Sequence, residues 1–274
     1  MSLVINTNIA SLVAQANLST SSSQLKLSVQ RLSSGYRINS SADDAAGLAR
    51  ADQLKSQSRM IQASMRNVND GTSTMEVADK AAEQITGIIT RMGELAASAA
   101  QGTLDTNTRS YYKDEYDKLA SEIDRIANTT EFGGNKILSG TLTSLTMFIG
   151  FKNTTNDQLS ISLNALTTGS IGLTAGLLTS VTGALSALDA VSAALKSVND
   201  ARAIFGASTN RLTTSLNNLQ VTFTNFQGAE SRIRDADFAY ETSVYTRNQI
   251  MVQAGTSVLA QANTLPQQAL TLLR

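Results

Sequence analysis

The sequence predicts a mainly α-helical protein, a long antiparallel coiled-coil bundle or rod with paired N- and C-terminal segments and a small β-hairpin region in the middle. Three observations predict it. Apolar residues recur at heptad spacing over most of the chain. The period changes to two between residues 142 and 166. Pro266 is the single proline in 274 residues, and this scarcity permits long uninterrupted helices.

Both ends of the chain are amphipathic but uncharged. Residues 1–25 and 249–273 carry no charged side chain, so the polar faces of the predicted helices are Ser, Thr, Asn and Gln. Such a face suits a helix buried among copies of itself, where unpaired ions would be costly. The apolar positions expected to drive pairing and polymerisation are Ile5, Ile9, Leu12, Leu18 and Leu25 at the N-terminal end, and Val244, Met251, Val258, Leu265 and Leu272 at the C-terminal end.

The segment at residues 44–100 keeps the heptad period but carries more charge. Taking Leu54 as position a, eleven of the fourteen a and d sites are apolar, which predicts one long helix. Asp43 and Asp44 precede it and favour a helix start; paired carboxylates for acid–base or metal chemistry are the weaker alternative. After a break at residues 102–107, a second helix is predicted at residues 109–127.

A β-hairpin is predicted at residues 142–166, where apolar and polar residues alternate on either side of a turn at residues 154–157. A Gly/Thr loop follows at residues 167–176. From Val181 the heptad period returns, with position d beginning at Ala184 and twelve of fourteen a and d sites apolar. The two long apolar stripes lie on opposite sides of the hairpin, so we expect them to pack on each other.

Arg202 and Thr209 interrupt the a positions of this last helix. A polar a position can set the register of a coiled coil. The favoured interpretation is that the guanidinium of Arg202 reaches a carboxylate on a neighbouring helix while its methylenes stay in the seam.

Composition excludes several classes of function. The chain has no His, Cys or Trp, which removes the usual ligands of zinc, copper, haem and iron–sulfur sites, the His-based nucleophilic triads and disulfides. A carboxylate-only hydrolase or an oxygen-ligated calcium site stays open. Lys+Arg and Asp+Glu number 22 each, so no net field attracts nucleic acid or an anionic membrane. The interpretation we favour is a protein with no enzyme activity, no catalytic, cofactor-binding or metal-binding residue, and no nucleic-acid or membrane partner.

Two uncharged stretches resemble targeting or membrane segments only weakly. Residues 1–25 lack the basic start and continuous apolar core of a cleavable signal, so export by the general secretory route is not expected. Residues 172–188 have the length of a membrane span, but their Ser and Thr content and their merger into the heptad stripe favour a soluble helix.

Several long motifs resemble those of bacterial flagellins, in the order in which that family has them. They are residues 4–8 (Val-Ile-Asn-Thr-Asn), 32–49, 131–138, 231–239, 253–263, 265–267 and 272–274. The resemblance covers roughly residues 1–140 and 205–274, while residues 141–200 depart from it. It indicates a short flagellin that lacks large outer domains.

This resemblance implies an assembly role. Residues 1–40 plus 240–274 would form a coiled coil in the inner filament core, and residues 41–180 plus 181–239 a rod-like helical domain. The protein would be secreted by the flagellar type III apparatus and would self-assemble into the extracellular filament for motility. Its other partners would be an export chaperone and cap and junction proteins. The alternative is a hook–filament junction protein, which shares the terminal helices.

We also expect residues 1–40 and 240–274 to be poorly ordered in the monomer and to order on polymerisation. An isolated helix pair without a partner cannot bury its apolar stripe, so folding of these ends would be coupled to assembly.

The resemblance further implies recognition by Toll-like receptor 5. Arg91, Glu94 and Leu95 on the long helix, and Glu115 on the following helix, fall on the receptor epitope of the family. Gly93 departs from it, because receptor-recognised flagellins commonly carry Arg at that position. The alternative interpretation is an ordinary helix surface, with Leu95 partly in the core stripe.

Overall fold

The computed structural model describes residues 7–272, and the side chains of residues 7–264. The predicted mainly α-helical fold is confirmed. The helices are α1 (Ile9–Ser34), α2 (Ala45–Ala99), α3 (Thr106–Thr129), α4 (Thr168–Ile171), α5 (Val181–Arg234) and α6 (Phe238–Leu272). The strands are β1 (Glu131–Phe132), β2 (Asn135–Lys136), β3 (Ser144–Phe148) and β4 (Gln158–Ser162).

The described chain folds as two compact units. The terminal unit contains the described residues up to Ser56 and from Asn225 onward, and the central unit contains Gln57–Thr224. The boundaries fall within α2 and α5. The division predicted from the sequence, at residues 40/41 and 239/240, separates segments by their role in assembly and not by compactness. It stays a prediction.

In the terminal unit, α1 and α6 form an antiparallel pair. The Nδ2 of Asn8 lies 2.8 Å from the carbonyl oxygen of Ala262, at one end of the pair. Near the other end, Arg31 Nη1 lies 3.7 Å from Glu241 Oε2. The N-terminal segment therefore pairs with the C-terminal segment, as the family resemblance implies.

A backbone bridge closes this pair where the chain leaves α1 and enters α6. Gly35 ends α1 in the left-handed conformation, with φ +75°, which glycine adopts without a steric penalty. Tyr36 then pairs antiparallel with Asp235. The Arg234 guanidinium carbon lies 4.4 Å from the centroid of the Tyr36 ring, a cation–π contact.

Asp43 and Asp44 serve the start of α2. Asp43 Oδ2 accepts hydrogen bonds from the backbone N–H groups of Asn39 (3.1 Å) and Ser40 (2.9 Å). Asp44 Oδ1 accepts from the N–H of Gly47 at 2.8 Å, as an N-cap does. The helix-start interpretation of these carboxylates is therefore confirmed.

The central unit is built around the predicted stripe of α2. From Ile61 to Ala99, every a and d position assigned from the sequence is buried. The stripe packs against α5 in antiparallel orientation, since Gly71 lies against Leu212 and Gly93 lies against Val191. Large side chains fill this core: Met75, Ile85, Ile89, Met92, Tyr116, Ile123 and Phe205 are at most 1% exposed.

The assignment of heptad positions in α5 needs a correction. The d series beginning at Ala184 is buried through Leu219, as predicted. The other half of the seam is Ala187, Ala194, Ala201 and Ser208, each one residue before the predicted a position. Small side chains let the helices approach closely, so they occupy the centre of the contact. The larger Leu188 and Leu195 lie half-buried at its edge.

Arg202 reaches a carboxylate on the neighbouring helix. Its Nε donates to Asp79 Oδ1 at 2.8 Å, and about a third of each side chain is exposed. This hydrogen bond raises the pKa of Arg202 above its ordinary value. The favoured interpretation of Arg202 is therefore confirmed.

The predicted hairpin forms from β3 and β4, which are shorter than the alternating pattern. Ser144 pairs with Ser162 and Phe148 pairs with Gln158. Ser64 Oγ donates to the carbonyl oxygen of Gly150, which fastens the hairpin to α2. The following Gly/Thr segment is not a plain loop, because it contains the short helix α4.

One helix among the described residues, α5, is long and apolar enough to cross a membrane by length and composition alone. Soluble core helices also meet this criterion. The side chains of α5 that repeat at heptad spacing are buried within the protein, and 28% of its apolar window is buried.

Candidate functional site

The terminal unit is the candidate functional site, and the most deeply buried residues of its inner seam are small or polar: Ser28, Glu241, Asn248 and Ala262. The inward positions on each helix follow an alternating spacing of three and four residues, as in a coiled coil. On α1 they are Ser11, Ala14, Leu18, Ser21, Leu25, Ser28 and Leu32. On α6 they are Glu241, Tyr245, Asn248, Val252, Gly255, Leu259 and Ala262.

Small residues in this seam allow a close approach of the helices. A β-carbon at Gly255 would lie 3.1 Å from Leu18 Cδ1 and 3.7 Å from Leu18 Cβ. That first distance is tighter than an ordinary van der Waals contact between carbon atoms. The pair therefore depends on backbone proximity more than on large interlocking side chains.

A charged pair lies within the seam near the backbone bridge. Glu241 is 4% exposed and faces Arg31. Among the described residues, Glu241 Oε1 and Arg31 Nε have no hydrogen-bond partner. Burying a charge is costly unless it is paired, so loss of either side chain would leave the other charge poorly compensated.

Two hydrogen bonds hold the opposite end of the pair. Asn8 Oδ1 accepts from the N–H of Ser11 at 3.1 Å and caps α1, while Asn8 Nδ2 donates to the Ala262 carbonyl. Ser11 Oγ donates to Asn263 Oδ1 at 2.8 Å. The two hydrogen bonds between α1 and α6, from Asn8 to Ala262 and from Ser11 to Asn263, join residues that are more than 250 positions apart in the sequence.

The outer surface of the pair also carries large apolar side chains. More than half of the surface of each of these side chains is exposed: Ile9, Leu12, Val13, Phe238, Tyr240, Ile250, Met251 and Val258. Phe238, Thr242, Thr246 and Ile250 line an open groove of 750 Å³ on α6. Exposed apolar patches of this kind mark surfaces that bind another molecule.

The predicted polymerisation residues fall into three groups in the structure. Ile9, Leu12, Met251 and Val258 are exposed on the outer surface. Leu18 and Leu25 lie half-buried in the inner seam, and Val244 is half-buried beside it. Ile5 and the side chains of Leu265 and Leu272 lie outside the described residues. Their role in polymerisation stays a prediction.

The apolar heptad chosen from the sequence in α6 does not form the inner seam. Two other sevenfold series do. Glu241, Asn248, Gly255 and Ala262 form one, for which hydrophobicity gave no signal, and the apolar Tyr245, Val252 and Leu259 form the other. The sequence pattern that could have identified the series from Glu241 to Ala262 is the recurrence of small or polar residues every seven positions. Val13, Phe238, Tyr240 and Ile250 on the outer surface were also missed.

A charged cluster in the central unit contains three of the four predicted receptor residues. Arg91 on α2 lies 2.8 Å from Glu94 Oε2 and 3.0 Å from Glu115 Oε1 of α3. Hydrogen bonds to Glu94, and then to Glu115, raise the pKa of Arg91 above its ordinary value. All three side chains are accessible to a partner, but each is already engaged within the chain.

Leu95 and Gly93 differ from these charged residues. Leu95 is 3% exposed, so its side chain belongs to the core of the central unit. This agrees with the alternative interpretation, which placed Leu95 partly in the core stripe. A β-carbon at Gly93 would lie 3.2 Å from Val191 Cγ1. A long side chain at position 93 would therefore have to turn away from α5. Recognition through these residues stays a prediction.

Comparison with known families gives two matches that together span most of the chain. Residues 5–143 match the bacterial flagellin N-terminal helical region. Residues 188–273 match the bacterial flagellin C-terminal helical region. The intervening residues contain the β3–β4 hairpin and α4.

Curated relatives match along almost their whole length. Flagellin of Halalkalibacterium halodurans is 37% identical over 272 residues, covering 99% of this chain and 100% of that protein. Flagellin of Bacillus subtilis is 36% identical, covering 98% of this chain and 99% of the relative. The flagellar filament 33 kDa core protein of Treponema phagedenis is 34% identical, covering 99% of this chain and 100% of the relative.

Among solved structures, the crystal structure of Bacillus cereus flagellin is similar. Its TM-score is 0.50 at 33% sequence identity, and the match covers 56% of this chain and 88% of that chain.

Proposed function

Because this chain belongs to the bacterial flagellin family, we propose that it builds the flagellar filament through the terminal unit, whose outer apolar side chains bind neighbouring copies. The family self-assembles into a homopolymeric filament that serves motility. The observation that carries the proposal is the outward placement of Met251, Val258, Ile9 and Leu12 beside an inner seam that is largely small and polar.

Burial of this outer surface supplies the free energy of assembly. Fully burying a side chain of the size of Met, Val, Leu or Ile contributes about 1.5–3 kcal/mol. Different surfaces of one subunit must meet in a polymer that grows without closing, and such contacts are heterologous. The uncharged residues 9–25 and 249–264 suit this burial, since no ion has to be desolvated.

The same argument supports coupling of folding to assembly. In a single chain, the seam of α1 and α6 buries few large apolar side chains, so residues 1–40 and 240–274 gain most of their stability from neighbouring copies. The remaining residues, 41–180 plus 181–239, contain the large apolar core and fold without such partners.

Deletion of residues 241–274 tests this division. The truncated chain should stay soluble and retain the cooperative unfolding of the central unit, but it should add to no filament seed. The intact protein, heat-dissociated and cooled, should regrow filaments from seeds that electron microscopy can follow. Filament growth by the truncated chain would refute the proposal. Failure of the intact chain to grow long filaments would favour the hook–filament junction protein.

The family assignment also supports a route and further partners. We propose that the subunit is exported by the type III apparatus to the extracellular flagellum, and that an export chaperone, cap and junction proteins contact its terminal helices. A chain without Cys and with one Pro avoids disulfide formation and repeated slow prolyl isomerisation during refolding outside the cell.

A second role, as a ligand of Toll-like receptor 5, is favoured by the exposed cluster of Arg91, Glu94 and Glu115. A reporter-cell assay with the soluble chain tests it. Arg91→Ala should lower the response, since Arg and its planar guanidinium are frequent at interface hot spots. Arg125→Ala is the matched control, because Arg125 pairs with Glu122 on the surface in the same i,i+3 manner. No response to the unmodified chain would refute the role, and equal responses to both variants and the unmodified chain would refute the contribution of Arg91.

A further inference from the structure

Asn8 uses both ends of its side-chain amide. Its Oδ1 accepts the N–H of Ser11 and caps α1. Its Nδ2 donates to the carbonyl oxygen of Ala262 in α6 at 2.8 Å. A serine at this position keeps a cap of similar strength, but it lacks the amide nitrogen that reaches the other helix.

The carbonyl that Asn8 binds is one whose regular helical donor is missing. In an α-helix the carbonyl of residue i accepts from the N–H of residue i+4, so the donor for Ala262 would be residue 266. That residue is Pro266, the one proline of the chain, which has no N–H. The helix nevertheless continues to Leu272. Pro266 therefore frees a carbonyl within α6.

The freed carbonyl lies where it needs a protein donor. Ala262 is 5% exposed and belongs to the inner seam that faces α1. A buried carbonyl without a partner is costly. A single proline frees one carbonyl in the interior of α6, so the amide of Asn8 has one matching position there.

We propose that Asn8 and Pro266 act together as a clamp that closes the free end of the α1–α6 pair. The bridge between Tyr36 and Asp235 ties the opposite end, one 26-residue helix away. Residues 9–25 offer no ion pair to hold the free end. Asn8 is thus a positioning residue. The inference rests on the proposed function in one respect, since the clamp holds the outer apolar side chains in place for the next copy.

A disulfide reporter can measure closure of the pair directly. The chain has no cysteine, and a β-carbon at Gly255 would lie 3.7 Å from that of Leu18. This separation is within the range of disulfides, about 3.5–4.5 Å between β-carbons. The full-length chain carrying Leu18→Cys and Gly255→Cys, equilibrated with glutathione, reports the effective concentration of one thiol at the other.

A double-mutant cycle then tests the clamp. Asn8→Ser should lower the effective concentration about fivefold, which is the size of one neutral hydrogen bond. In the Pro266→Ala background, Asn8→Ser should change it less than about twofold, because the restored N–H satisfies Ala262. Ser11→Ala is the matched control. Its bond to Asn263 does not involve Pro266, so its effect should be the same in both backgrounds.

The outcomes separate this inference from the proposed function. Equal effects of Asn8→Ser in both backgrounds, or no effect in either, would overturn the clamp. The thiol measurement does not require polymerisation, so it stands even if the chain grows no filaments. Seeded filament growth is measured separately, and Asn8→Ser should slow it only where Pro266 is present.

Discussion

The two helix pairs of this chain use the same heptad period in opposite ways. In the central unit, Phe205, Ile85 and Met92 lie on the inner stripe and are at most 1% exposed. In the terminal unit, Met251 and Val258 lie outside and are 52% and 57% exposed. The heptad period by itself therefore determines only that two helices pair. The heptad position of the large residues determines whether they are buried inside the pair or exposed on its outside.

The polar residues of the two seams show the same contrast. The central unit places Arg202 and Asp79 at the edge of its seam, where both remain hydrated in part. The terminal unit buries Glu241 and Asn248 at its centre, both at most 5% exposed. An apolar centre stabilises a pair in isolation, whereas a polar centre contributes little and restricts how the helices can meet.

The largest effect that sharpens this comparison is in the central core. Phe205→Ala should lower the free energy of unfolding of the soluble chain by about 3–5 kcal/mol, because it leaves a cavity in a packed interior. Urea denaturation measures it. Val221→Ala on the same helix is the control, since Val221 is 60% exposed and should cost at most about 0.5 kcal/mol. Similar losses for both variants would contradict the assignment of this core.

The next effect concerns the outer surface of the terminal unit. Met251→Ser combined with Val258→Ser should raise the critical concentration for seeded filament growth on the order of 100-fold, from about 3 kcal/mol of lost apolar burial. The free energy of unfolding of the soluble chain should not change. Leu185→Ser, at a residue of α5 that is 52% exposed, should have a much smaller effect on growth. If the double variant grew normally, this surface would not be the interface.

A smaller effect distinguishes two roles of Arg202: an ion pair at the edge of the helix contact, or a residue that sets the register of the two helices. Arg202→Leu should lower the free energy of unfolding by at most about 1 kcal/mol, because the pair with Asp79 is partly hydrated. The combination of Arg202→Leu with Thr209→Val should give filaments of unchanged supercoil in electron micrographs. A changed supercoil would show that these two polar residues set register.

The smallest effect is a pH dependence at the start of α2. Backbone hydrogen bonds from Ser40, and then from Asn39, hold the pKa of Asp43 below its ordinary value of 3.8. A lowered folded-state pKa stabilises the protein above the ordinary pKa, and this contribution is lost as the pH falls through the folded value. Asp43→Asn should therefore lower the Tm slightly at neutral pH. Well below pH 3.8, the two Tm values should converge, and a constant difference would contradict this role.

Much of the fold follows from the sequence. The stripe of α2 was predictable residue by residue from Ile61 to Ala99, because apolar side chains at a and d are buried in the contact between two paired helices. The helix start at Asp43 and Asp44 and the hairpin were predictable from the local sequence, whereas the pairing of the two chain ends came from the family resemblance. The charged cluster around Arg91 came from family resemblance and not from periodicity.

The structure corrected the sequence in α5 and α6, where small residues form part of the contact. Hydrophobicity ranks Leu188 above Ala187 and Met251 above Gly255, yet in each case the smaller residue faces the partner helix. The distance between two helices decides this, and that distance depends on both surfaces at once.

The sequence by itself determined that the ends of this chain are uncharged amphipathic helices able to pair, since charge and period are properties of each segment alone. Only the tertiary structure decided which apolar side chains remain outside that pair. It also decided that Asn8 meets Ala262, 254 positions away, at the carbonyl that Pro266 cannot serve. Such a contact depends on the position of two helices relative to each other, which no segment encodes alone.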